Sequence, residues 1–175
     1  SRCSRRTWIL TVTALTLWLG VSATERYRCF NIEAAPGINL LRRIPPGKSL
    51  RYIPVDARSR VADHEPYEHF GQYYALEQNG FVINPFASLV HMPVKYREDW
   101  LRDFEGFRQG AVRNRGTLRA DIRWDRHDYF LIRIGPRDAP AAVVSMFADS
   151  PGHPVVPVAR QGPWILVKKA GTHHL

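Results

Sequence analysis

The sequence predicts an α/β protein: one N-terminal transmembrane helix followed by a small three-layer, mixed-sheet α/β domain that closes on a C-terminal β-hairpin. Three observations carry that prediction. Thr7 to Thr24 contains no charged residue. Short apolar runs alternate with helix-patterned segments from Leu50 onward, and two β-forming runs flank Gln161-Gly162 near the end. The organisation implied is 1–24 as a transmembrane helix with a basic cytoplasmic flank, 25–48 as a juxtamembrane helical connector, 49–170 as an extracytoplasmic α/β domain and 171–175 as a tail.

The 18 residues from Thr7 to Thr24 would reach ~27 Å as a helix, against ~30 Å of bilayer hydrocarbon. Arg2, Arg5 and Arg6 precede this stretch and Glu25 is the first acid after it, so the positive-inside rule keeps the N-terminal flank in the cytoplasm and exports the rest from the inner membrane. Trp8 suits the interface. A secretory signal peptide cleaved after Ala23 fits the same residues and exports the same domain. The chain begins on Ser1, which favours a segment of a longer protein and hence the spanning helix. Cys3 and Cys29 fall on opposite sides of the bilayer, so no disulfide is expected and Cys29 reads as a small buried hydrophobe.

Beyond the span, Pro36-Gly37 interrupts an amphipathic stretch, which leaves a short helix near Ile38 to Arg43 and a Pro45-Pro46-Gly47 turn. A strand follows from Leu50 to Val55, and Pro54 inside it points to a sheet edge or a bulge. Pro66 to Asn79 reads as a helix with Asn79-Gly80 as its stop; Phe70, Tyr73 or Tyr74, and Glu77 fall at helical spacing. Phe81 to Phe86 reads as a strand, the segment through Val94 as extended, and Glu98 to Arg108 as a second helix. Gly110 to Arg126 is polar and basic, hence loop. Asp128 to Gly135 is nearly continuously apolar and belongs at the sheet centre. Asp138 to Met146 can form a helix before the terminal hairpin.

The chain has 175 residues, 45% of them hydrophobic and 23% charged, which excludes disorder and low-complexity architecture. Its net charge of +9 invites a nucleic-acid reading. The bases are scattered, however, and removing the three flanking arginines from the 25 Lys+Arg leaves 22 against 16 acids on the exported part. Nucleic acid is therefore not the expected partner.

Most motif matches fail on spacing. His64 and His69 are five apart with Pro66 between, whereas a helical zinc motif needs four. Pro46-Gly47-Lys48-Ser49 has Arg42 where a phosphate-binding loop needs glycine, so it reads as a turn. No dinucleotide, nucleophile-elbow or C-x-x-C signature occurs. The strand-end residues Asp56, His69, Asn84 and His91 form a candidate polar crevice, because ligands bind beyond the carboxyl ends of strands in open α/β sheets. Arg42 and Arg43 are candidates for contact with anionic headgroups or a polyprenyl-phosphate carrier.

Several short motifs together resemble one known arrangement. They are the P-P-G turn at Pro45, H-F-G-Q-Y-Y from His69, G-F-V-x-x-P-F from Gly80, H-M-P-V from His91, D-Y-F-L-I-R from Asp128 and G-P-W-I-L-V-K from Gly162. This pattern is similar to the C-terminal extracytoplasmic region of bacterial polytopic membrane proteins resembling the C-type class of integral-membrane glycosyltransferases, which includes mannosyltransferase-like proteins. The resemblance implies donors carried as lipid-phosphate-linked sugars, with catalytic acids lying in upstream loops that this chain lacks. It therefore implies a non-catalytic tail domain that aids acceptor recognition or assembly, with no catalytic residue, metal or cofactor of its own. Two other classes remain open at this stage: an exported, membrane-anchored binding or structural module, and a small metal-dependent hydrolase built on Asp56, His64 and His69.

Overall fold

The computed structural model describes residues 2–62, 64–82, 127–141 and 155–170. Its first element is one helix, α1 (Arg2–Leu41), 40 residues long, or about 60 Å. An 18-residue window of α1 has mean hydropathy 1.4 and none of it is buried. By length and composition, α1 is therefore able to cross a membrane.

The expected break at Pro36-Gly37 and the separate short helix at Ile38 to Arg43 are corrected: α1 runs unbroken to Leu41. Pro36 forfeits the hydrogen bond that its nitrogen would have returned to Ile32, and its ring crowds the carbonyl there. Packing compensates for that loss. Ala34, Leu40 and Leu41 of α1 are buried in the main core, with Phe30 and Ile38 against it, and a β-carbon added to Gly37 would lie 2.7 Å from Phe70 Cε1 and 2.8 Å from Trp164 Cε2. Glycine is the residue that allows so close an approach. The helix then tightens as Arg43 N–H and Ile44 N–H donate to the carbonyls of Leu40 and Leu41, and Pro45-Pro46 ends it.

The sheet has five strands: β1 (Ser49–Pro54), β2 (Phe81–Val82), β3 (Tyr129–Arg133), β4 (Val155–Gln161) and β5 (Trp164–Lys169). Their spatial order is β2-β1-β3-β5-β4. β1 is parallel to both β2 and β3, whereas β5 is antiparallel to β3 and to β4. The fold is thus α/β with a mixed sheet, as predicted, and β3 takes the centre with all five of its residues buried. The terminal hairpin forms as well. Gly162 has φ +55, and Pro163 beside it can only take negative φ, which is the type II′ arrangement.

One expectation about β1 fails. It lies between β2 and β3, not at an edge. Pro54 is tolerated because it is the last residue of the strand, and its pairing with β2 involves only Ser49 and Leu50. The expected helix from Pro66 is also shorter. Residues Glu65 to Tyr74 make successive three-residue turn bonds, and α2 spans Gln72–Gln78, ending on Asn79 in the left-handed region. Phe70 and Tyr74 are buried while Tyr73 is exposed. The strand at Phe81 continues only to Val82 among the described residues. The extended segment, the helix at Glu98 to Arg108, the basic loop and most of the helix at Asp138 lie outside them.

Side chains of one sheet face join α1 and the α2 region in an aromatic core. Trp164 is its hub, 4.4 Å from Phe70, 5.4 Å from Tyr67 and 6.2 Å from Tyr52 between ring centroids. The opposite face, including Ile53, Phe130, Ile132, Ile165 and Val167, is buried too. At the other end of the sheet Asp128 fastens three strands. Its Oδ2 accepts from Ser49 N–H and Ser49 Oγ–H, both at 2.9 Å, and its carbonyl accepts from Lys169 N–H at 2.9 Å.

Two outcomes follow from this packing. Gly37→Ala gains up to ~1 kcal/mol of helix propensity but forces its methyl into Phe70 and Trp164, so a net loss of about 1–3 kcal/mol is expected in urea unfolding of the micelle-bound protein. An unchanged or raised midpoint would show that the aromatic core yields. Burial pulls the Asp128 carboxyl upward, but the Ser49 bonds, with Lys48 and Lys169 behind them, outweigh it and hold the group below its ordinary value. Its contribution is therefore present above about pH 4 and is lost as pH falls through the lowered folded value. The stability difference between wild type and Asp128→Asn should shrink across that window when urea midpoints are measured against pH.

Candidate functional site

Because β1 and β3 are parallel neighbours, their carboxyl ends leave the sheet side by side. Pro54 pairs with Arg133, and the N–H groups of Val55 and Asp56 both donate to the Arg133 carbonyl, at 2.9 and 3.2 Å. The chain after β3 turns at Gly135, whose N–H donates to Asp138 Oδ2 at 2.8 Å. Between these two strand ends, the β4–β5 turn and the Ile32–Pro36 face of α1 lies a groove of about 1100 Å³. This is where an open α/β sheet accommodates a ligand.

Arg133 forms the inner wall. The residue is only 5% exposed, an unusual environment for a permanent charge. Its guanidinium carbon sits 4.0 Å from the centroid of the Tyr67 ring and 5.5 Å from that of Trp164, within cation–π range. Nη2 is 3.3 Å from Glu33 Oε1, and Nη1 donates to the Asp56 carbonyl. Its Nε is buried without a hydrogen-bond partner among the described residues.

Glu33 ties α1 to this wall. Besides Arg133, its carboxylate accepts from Ser59 Oγ–H at 2.7 Å and from the Arg60 N–H at 3.2 Å. Asp56 turns to Arg58, accepting from Nε at 2.9 Å and from the backbone N–H at 3.1 Å. Burial pulls the Asp56 carboxyl upward, yet the Arg58 bonds and charge, with Arg133 beyond, prevail and hold it below the usual carboxylate range. Burial also raises the Tyr67 hydroxyl, reinforced by the Glu33 charge and opposed by Arg133.

The groove is lined by five arginines against three acids, and each acid is already engaged: Glu33 by Arg133, Asp56 by Arg58, Asp138 by the Gly135 N–H. Arg60 and Arg137 have no anionic partner among the described residues, and Arg160 Nε donates to the Gly162 carbonyl at 3.2 Å. An excess of guanidinium groups with engaged acids favours an anionic guest.

The predicted site residues separate. Asp56 lines the groove. His69 lies in the turns before α2, 3.9 Å from Glu68, and is not among the groove's lining residues. Asn84 and His91 fall outside the described residues. Arg42 pairs with Glu77 at 2.9 Å and Arg43 is exposed beside it. Arg42 stands 18 residues past Thr24, about 27 Å further along the chain if helical. Among the described residues, no group of three His, Cys, Asp or Glu side chains converges as metal ligands. Cys29 is a half-buried free thiol, its Sγ 3.8 Å from Glu25 Oε1.

Sequence reasoning passed over Glu33 and Arg133. The available signal was a single charge inside an apolar strand, since Arg133 interrupts Tyr129 to Ile134. Such a residue must find a partner when its strand is central. Comparison with protein families, with curated proteins and with solved structures yields no match to this chain.

The Glu33–Arg133 pair has a measurable signature. Arg133→Met leaves the Glu33 carboxylate without its buried cation and is expected to cost ~3–5 kcal/mol. Combining it with Glu33→Gln should cost less than the sum of the single changes, with a coupling of about 0.5–3 kcal/mol in a double-mutant cycle of urea unfolding. Strict additivity would show that the two groups do not interact.

Proposed function

We propose that this chain is a non-catalytic, extracytoplasmic domain of an inner-membrane glycosyltransferase-like protein that uses lipid-linked sugars, and that its groove takes part in acceptor recognition. The observation that supports this reading is the continuity of α1, which passes from its exposed apolar stretch into the core and forms one wall of the groove. Ile32, the first groove residue on α1, follows Thr24 by eight positions, or about 12 Å along the helix axis. A groove held at that height above a bilayer faces substrates presented at the membrane surface. The partners are then the bilayer, a polyprenyl-phosphate-linked sugar bound elsewhere in the parent protein, and a glycan acceptor. The buried second face of the sheet supports a third layer to the domain.

The genomic reading frame tests this directly. Several upstream apolar spans, with a pair of acids in the first external loop, are expected to precede Ser1. An initiating Met immediately before Ser1 would overturn the proposal, leaving a singly anchored module.

A further inference from the structure

We propose that the groove binds an anionic saccharide, with Arg60, Arg137 and Arg160 receiving its carboxylate or phosphate groups. Three observations converge on this. The lining carries more guanidinium groups than acids, and every acid is held by the protein itself. Arg133, nine-tenths buried, lines the same groove with its Nε unpartnered among the described residues. The remaining wall is apolar and stiff, built partly from Pro36, Pro136 and Pro163, which suits the C–H faces of a sugar ring while the arginine forks take the charge.

Height discriminates between sources of the anion. The polar zone of a bilayer adds only ~5–8 Å to each side of the hydrocarbon. The groove begins about 12 Å past the apolar stretch if α1 runs along the membrane normal, beyond the phosphate of an ordinary phospholipid. A saccharide projecting from the surface reaches it. That the ligand is a saccharide rests on the function proposed above, whereas its charge rests on the groove alone.

Titration calorimetry on the full chain in phosphatidylcholine nanodiscs tests the inference, with oligogalacturonate and glucose 6-phosphate as probes. Methyl-esterified oligogalacturonate, inorganic phosphate and phosphatidylglycerol vesicles serve as comparisons. At least one of the two charged sugars should bind saturably and more weakly as salt rises, and Arg137→Ala with Arg160→Ala should weaken it about tenfold or more, the loss of a charged hydrogen bond. Both arginines are exposed, so the unfolding midpoint should not move, and lysine at the same positions should restore part of the affinity. Equal binding of the esterified sugar, no saturable binding of either charged sugar, or an arginine dependence seen only with phosphate or phosphatidylglycerol would each overturn the proposal. These outcomes are independent of the reading frame upstream of Ser1, so failure here and failure of the proposed function are separable.

Discussion

The passage of α1 over the indole of Trp164 is the contact on which the described structure depends. Gly37 gives the helix no side chain there, and the surrounding residues Ala34, Leu40 and Leu41 bury themselves around that approach. Moving the helix outward by the width of a methyl group would loosen Phe70 and Tyr67, which pack on the same indole. It would also separate Glu33 from Arg133. A single close approach thus fixes the helix, the aromatic core and the inner wall of the groove together, because a close-packed interior cannot relax one contact without disturbing its neighbours.

The charge arrangement follows from that geometry. Once a helix and a sheet end are held together, an arginine on the central strand lies between two aromatic faces and a helix carboxylate. The desolvation it suffers is offset by the ring faces, the Glu33 carboxylate and the Asp56 carbonyl. The acids nearby are used up in holding loops: Asp56 fixes Arg58, and Glu33 fixes Ser59 and Arg60. Positive charge at the groove is therefore a by-product of acids serving structural roles, and it does not require an unusual composition. Of the overall excess of nine positive charges, only three flank the apolar helix at Arg2, Arg5 and Arg6.

Features governed by local pattern were legible in the sequence. The uncharged stretch from Thr7 to Thr24, the central position of Tyr129 to Arg133 and the Gly162 turn each follow from residue type and spacing alone. Pro36-Gly37 was misread because local propensity treats the pair as a break, whereas tertiary packing converts the glycine into a contact and tolerates the proline. Pro54 was misread for a related reason, since only its place at the strand end, and not its identity, decides whether it disrupts pairing. The groove was half legible. Asp56 could be placed at a strand end, but Glu33 sits far upstream on another element, and no local pattern links it to a residue 100 positions later.

The unbroken course of α1 also fixes a direction. Ile32, Glu33 and Pro36 lie on one side of a helix whose apolar part has its own sides, and with 3.6 residues per turn their relative azimuth is set by the count of intervening residues. A flexible linker would let the domain swivel relative to the apolar stretch. A continuous helix instead holds the mouth of the groove at one azimuth relative to the apolar stretch, on the side met by whatever packs against the matching side of that stretch. Adding or deleting one residue between Thr24 and Ile32 would turn that mouth by about 100°, so the length of this short stretch acts as a compass setting for the domain.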